Sequence, residues 1–335
     1  MVRQTTGSMI AALVFAVLLG ASPAARAQAP LRAPAPLKVM VFAGLTNFSI
    51  FAAQNKGLFT KHGLAVELIN TPSSDAMRDG LAKGDIQIAH AGVDNAVAMA
   101  ELAKADVAIV TGGDNGFNRI IAQPEIKSYA DLRGKTVVVD APNTAFALLL
   151  YKVLKDNGLN KGDYMVKPVG GSPTRLDALL KDKANAASVL NPPFIFNALQ
   201  AGMRDLGSTV KAIGAYQSDG AFVMRPWANA NSDTLVRYIQ AYVEGRRWAL
   251  DPANKSEAIQ LLVDRLKLTP DVAAQSYAVA ADPVEGIAKD AKFDMEGFRN
   301  VLKLRAEIEG QWGGSPPPPE KYLDLSFYNK ALAGL

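Results

Sequence analysis

The feature that most limits how this chain can fold is a pattern that occurs twice, about 97 residues apart. Residues 38–43 form a short apolar, β-rich run and 44–47 have turn chemistry. Residues 48–62 then carry apolar side chains at 48, 51, 52 and 59, the spacing of one stripe on a helix. Gly63 stops that helix and 64–69 returns as a strand, so the unit reads βαβ and calls for a parallel sheet. The order then recurs: a strand at 135–139, a loop at 140–143, and a helix at 144–157 with Phe146, Leu149, Leu150, Val153 and Leu154 on one face. Gly158-Leu159 ends it as Gly63-Leu64 ends the first. At an offset of 98, Asp79, Leu81, Lys83 and Ala89 align with Asp177, Leu179, Lys181 and Ala187, each set within a helix followed by a strand. A repeat carried through strand, loop, helix stop and helix–strand pair implies two α/β lobes of similar build.

The chain has 335 residues, room for two ordinary domains and a tail. Between the repeats the pattern continues with a helix at 74–83, a strand at 86–89, a helix at 95–104 and a strand at 107–110. Past Tyr216 a last short strand, 221–224, gives way at Pro226 to helical segments. One of these begins at Thr269-Pro270-Asp271, an N-cap, proline and first-turn acid in the order a helix start favours. Another spans 295–308; the prolines at 316–319 form an extended strap, and 322–335 docks as a tail. The expected organisation is a signal segment at 1–27, a linker at 28–37, lobe 1 from 38–118 plus 225–335, and lobe 2 from 119–224. The expected fold class is α/β, two Rossmann-like lobes around a central cleft, with the helical C-terminal part packed on lobe 1.

Residues 1–27 have the three-part build of a secretory signal. Arg3 precedes an apolar run from Met9 to Leu19, too short for the ~20 residues that span a bilayer. Ala25-Arg26-Ala27 then supplies small residues at alternate positions, placing cleavage after Ala27. Removing this segment takes away two arginines and no acid, so the formal charge falls from +4 to +2 and the sequence pI of about 9.0 carries no message about nucleic acid. The chain has no cysteine, which removes disulfides, thiolate metal sites, thiol nucleophiles and lipidation at a cysteine. Export without cysteine fits a bacterial periplasm.

Little catalytic chemistry is on offer. Of two histidines, His62 sits at a helix C-terminus, where the dipole accounts for it. His90, followed by Ala91, ends a strand, where open α/β sheets place ligands; a satisfied loop histidine is the competing reading. No phosphate-cradling glycine loop and no nucleophile elbow occurs, and Gly112-Gly113-Asp114-Asn115-Gly116 reads as the turn leaving the first lobe. The loops offer matched helix starts instead: Thr46, Asn47 and Phe48 in one lobe, Asn143, Thr144 and Ala145 in the other. Their unpaired N–H groups could hold a polar or anionic group, or Asn47 and Thr144 could be plain N-caps. Asn191 and Pro192, with Tyr216, complete the expected wall. No catalytic residue, cofactor or metal is expected.

Three ordered segments carry a resemblance. Residues 53–68, AQNKGLFTKHGLAVEL, match a helix of the form A-x-x-K-G-x-F-x-K-x-G-L-x-V-E; 81–89 match a looser L-x-x-G-x-x-D-x-A step; 128–137, SYADLRGKTV, match S-x-x-D-L-K-G-K-x-V. With Leu323-Asp324-Leu325-Ser326-Phe327, the chain resembles the type II periplasmic solute-binding proteins of ABC importers, in the branch serving nitrate, sulfonates, taurine and thiamine-precursor pyrimidines. That resemblance implies two crossing segments, near 117–122 and 222–226, hinge closure on a ligand, an inner-membrane permease as partner, and a monomer without nucleic-acid partners. Residues 141–145, APNTA, depart from a stretch that is often Gly/Ser-rich, leaving fewer hydroxyls for an oxyanion. With Phe48, Phe146, Phe194 and Tyr216, this points to a small organic solute, an aromatic or other carboxylate being the candidate class. Competing expectations are an enzyme like the thiamine-pathway relatives, and a ligand receptor for a sensor kinase.

Overall fold

The computed structural model describes Met1, Val2, Gln4 and residues 33–335. Apart from those first three residues, the expected signal segment and its cleavage after Ala27 lie outside the described residues, as does the start of the 28–37 linker. The linker's end is already folded, because β1 (Ala35–Val41) begins at Ala35. Its Leu37, Val39 and Val41 are buried while Pro36 and Lys38 face out, the alternation of a pleated strand with one covered face.

Nine further strands follow: β2 (Leu64–Asn70), β3 (Ile88–Gly92), β4 (Val107–Ile109), β5 (Arg119–Ala122), β6 (Thr136–Val139), β7 (Met165–Pro168), β8 (Asn185–Leu190), β9 (Arg204–Ser208) and β10 (Asp219–Met224). They make two five-stranded sheets of the same design, ordered β2-β1-β3-β10-β4 and β7-β6-β8-β5-β9. In each, three strands of a βαβαβ unit run parallel and the fourth and fifth add an antiparallel pairing. The middle strands β3 and β8 are buried along their whole length, as a strand with helices on both faces must be. Gly63 and Gly158, which end the first helical stretch of each repeat, both take left-handed φ, 68° and 80°.

The antiparallel strand of each sheet, β10 in the first and β5 in the second, follows directly on a crossing between the lobes. β10, expected to close lobe 2, pairs instead with β3 and β4 of the first sheet. The two crossings therefore precede the expected segments, at 110–118 and 209–218, and β5 and β10 are ordinary sheet strands. The crossings lie side by side: Ser218 N–H donates to Asp114 O at 3.1 Å and Thr209 N–H to Asn118 O at 3.0 Å. Gly113 belongs to the glycine-rich turn, and a Cβ there would stand 2.4 Å from the carbonyl oxygen of Asp219; only a glycine lets these backbones meet.

Two helices differ from the periodicity in an instructive way. The stripe over 48–62 is cut into Phe48–Asn55 and Leu58–Lys61 by Gly57 at φ 64°. Helix Ser232–Leu250 packs on Phe48–Asn55 in the first lobe, and helix Met295–Glu309 additionally leans on Ala145–Asp156 of the second. The latter contact carries ion pairs of Lys155 with Glu307, 2.9 Å, and Lys161 with Glu309, 3.3 Å.

Candidate functional site

The C-terminal ends of the parallel strands from both sheets converge on one enclosed space, the position where open α/β sheets leave room for ligands. The first lobe contributes Phe42 and Thr46 after β1, Gly92 and Asn95 at the end of β3, and Ser74 at the start of helix Ser74–Lys83. The second contributes Asp140 and Thr144 after β6, Ser172 and Arg175 on helix Ser172–Lys181, and Asn191 after β8. The cavity has about 440 Å³ of empty space including its mouth. It has room for a small molecule in contact with both lobes.

The 98-residue repeat maps directly onto this lining. Phe42 falls on Asp140, Thr46 on Thr144, and Ser74 on Ser172, and all six face the cavity. The lobes already touch across it. Ser74 Oγ donates to Asp140 Oδ2 at 2.5 Å, Leu45 N–H to Pro192 O at 3.0 Å, and Gly171 N–H to Pro72 O at 3.3 Å.

Five of the residues singled out from sequence line the cavity: Thr46, Thr144, Ala145, Phe146 and Asn191. The others lie behind it for identifiable reasons. Asn47 spends its amide on Phe42 O at 2.6 Å, and neither Asn47 nor Thr144 caps its helix, since Thr144 Oγ1 donates to Ala141 O. Phe48 is wholly buried in the core, edge-on to Tyr277 with ring centroids 6.2 Å apart. His90 turns toward helix Ser232–Leu250, its Nε2 2.9 Å from Tyr238 Oη and its ring 4.7 Å from that of Tyr242. Burial, with Arg246 nearby, pushes its pKa down to about 3, so the ring is neutral. Ala91 is buried within β3, Tyr216 is buried in the core beneath helix Met295–Glu309, and Asn143 and Pro192 contribute backbone carbonyls to Arg305 and Leu45.

The charged lining escaped the sequence reading. Arg175 is buried, 5.5 Å from the Phe146 ring centroid, and donates to Val189 O, Gly170 O and Ser172 Oγ at 3.2, 2.9 and 2.8 Å. Burial, opposed by Asp140, lowers its pKa to about 10. Asp219, at the start of β10, has its carboxyl pushed well up by burial and by neighbouring Asp114 and Asp94, against a hydrogen bond from Thr46. Asp94 lies just behind Gly92; burial raises it to about 6 although Arg305 Nη1 donates to its Oδ2 at 2.9 Å. A repeat superposition would have found Asp140 and Ser172, but nothing local marks Asp219 or Arg175. No cluster of His, Asp or Glu suited to a metal ion occurs among the described residues.

Two sheets of matched topology, crossed twice and closing on a shared polar cavity, define a two-lobed α/β fold of the periplasmic-binding-protein type. The chain belongs to the NMT1/THI5-like family, whose profile matches residues 46–255. No protein of curated function matches the sequence significantly. Among solved structures, it is similar to a ligand-binding component of an ABC-type import system from Staphylococcus aureus crystallised with zinc, at 16% identity and TM-score 0.74, covering 89% of this chain and 99% of that one. The periplasmic nitrate-binding protein NrtA of Synechocystis PCC 6803 gives 16% identity, TM-score 0.75 and coverage of 90% and 89%. The desulfurization enzyme DSZB shares the fold at 12% identity and TM-score 0.62, covering 89% and 99%.

Proposed function

We propose that this chain is the solute-binding component of an ABC importer, exported to the periplasm by residues 1–27, that captures a small organic solute between its lobes and presents it to an inner-membrane permease. The observation that carries this reading is a cavity walled by equivalent residues of both lobes, Thr46 with Thr144 and Ser74 with Ser172. A ligand seated there touches both lobes at once and so favours the closed arrangement over the open one. Thr46, Thr144, Ala145 and Asn191 are the proposed contacts carried over from the sequence reading. The enzyme DSZB keeps a catalytic alternative in view, but His90 faces tyrosines rather than the cavity, which supports binding without turnover.

Thermal melts of the purified protein against a panel of solutes test the proposal. A solute at 100 times its dissociation constant stabilises the folded state by about 2.7 kcal/mol. Turnover of a solute in the panel, with no solute shifting the melt, would falsify the receptor reading in favour of an enzyme.

A further inference from the structure

The unpaired polar atoms on the cavity wall are acceptors, while one buried donor, Arg305 Nη2, stands unpaired on the guanidinium that holds Asp94. Among the described residues, the buried cavity-lining side-chain atoms without a partner are Asn95 Oδ1, Asp140 Oδ1 and Asn191 Oδ1, all acceptors as placed, and Asp94 Oδ1 stands unpaired just behind Gly92. Asn95 and Asp140 are 3% and 7% exposed, so water does not satisfy them from bulk. The orientation of Asn95 is fixed by its own Nδ2, which donates to Gly92 O at 3.1 Å. A buried acceptor without a donor costs about 1–3 kcal/mol, more for a carboxylate, so such atoms call for a bound partner that brings hydrogens.

The charged groups on the wall are mixed. Asp140 and Asp219 line the cavity from opposite lobes, Asp219 with its carboxyl pushed well up by burial, and among the described residues Arg175 is the cation on its wall. Each nitrogen of that guanidinium already donates to an acceptor of its own lobe. Arg305, the other nearby guanidinium, lies off the wall, its Nη1 donating to Asp94 and Asn143 O and its Nε to Gln311, with Nη2 left unpaired. A cation entering between the lobes would meet Asp140 and the unpaired oxygens of Asn95 and Asn191.

We infer that the solute held between the lobes is a small cation rich in N–H donors, an amine, amidine or guanidine, gripped by Asp140 and Asn95, and not the carboxylate suggested by the sequence. The inference rests on the receptor reading and specifies its ligand. The unpaired oxygens of the two lobes would then close on opposite sides of one donor group, which accounts for polar atoms on both walls. The half-buried rings of Phe42 and Phe146 would flank its carbon skeleton.

Isothermal titration and thermal melts of the whole protein, with agmatine, putrescine and benzamidine as cationic probes and nitrate, taurine and benzoate as anionic ones, decide the matter. The expected result is saturable binding of at least one cation and none of the anions, weakened at least tenfold in Asp140→Asn and in Asn95→Ala, each checked for a native circular-dichroism spectrum. No response to any cation, or unchanged cation affinity in both folded variants, overturns the inference. A parallel native mass spectrum of protein isolated from its cells separates the two levels. A co-purified anion overturns the cation class and leaves the receptor standing, whereas no co-purified solute together with no binding in either panel removes both.

Discussion

Arg305 and Asp94 meet in the interior, Nη1 to Oδ2 at 2.9 Å, with side chains 0% and 2% exposed. The same Nη1 also reaches Asn143 O of the second lobe at 3.3 Å. One guanidinium therefore ties helix Met295–Glu309 to the start of helix Asp94–Leu102 and to the loop after β6. Removing one partner of a buried pair strands the other, at about 3–5 kcal/mol. Arg305→Met is expected to lose that much stability near pH 8 in urea unfolding. The loss should be smaller at pH 5, because Asp94, already raised to about 6, can then take up a proton instead of remaining an unpaired charge. Equal losses at both pH values would contradict this.

Phe48 gives a sharp contrast between packing and contact. Its ring is fully enclosed against Tyr277, away from the cavity. Phe48→Ala should cost about 3–5 kcal/mol of stability, while solute affinity measured well below the variant's melting temperature stays within about twofold of the parent. A large affinity loss in a variant of normal stability would return Phe48 to the binding wall.

The neutral, buried His90 makes stability depend on pH. Its pKa is about 3 in the folded chain against 6.5 unfolded, so the unfolded state takes up a proton that the folded state refuses, and this contribution fades as pH falls from 6.5 toward 3. Asp94 acts in the opposite sense, so the cleanest measure is a comparison with His90→Gln, which keeps a polar partner for Tyr238. The stability advantage of the parent over the variant should shrink by about 3 kcal/mol between pH 7 and pH 4. A constant difference would mean the histidine is charged in the fold.

Ser74 Oγ bridges the lobes to Asp140 at 2.5 Å. Ser74→Ala is expected to raise the population of separated lobes, seen as a larger radius of gyration in small-angle scattering of the solute-free protein. Because binding draws on the closed population, apparent affinity should fall, by about tenfold for a bond worth about 1.4 kcal/mol. An unchanged scattering curve and unchanged affinity would show that the bridge holds nothing.

Much of the architecture was legible because it is written in periodicity. The 98-residue offset foretold two lobes, and the stops at Gly63 and Gly158 both proved to be left-handed turns. Binding residues were legible where they share that offset, as with Thr46 and Thr144. They were hidden where a strand end is supplied from distant sequence: Asp219 reaches the cavity only because β10 crosses back into the first sheet. Arg175 reads as a surface residue of an amphipathic helix until β8 and Gly170 supply its acceptors. His90 misled for the opposite reason, since a strand end also has a back face, and here that face meets two tyrosines.

The exchange of strands also sets an order of assembly. β5 to β9 are contiguous, so everything the second sheet pairs with has been delivered by residue 208. The first sheet has its outer strand β4 early, yet β4 joins only through β10, which arrives at residues 219–224. A chain delivered from its amino end would thus complete its later lobe first. Its earlier half must wait as an open three-stranded sheet, with the edge of β3 exposed and in need of protection until β10 arrives.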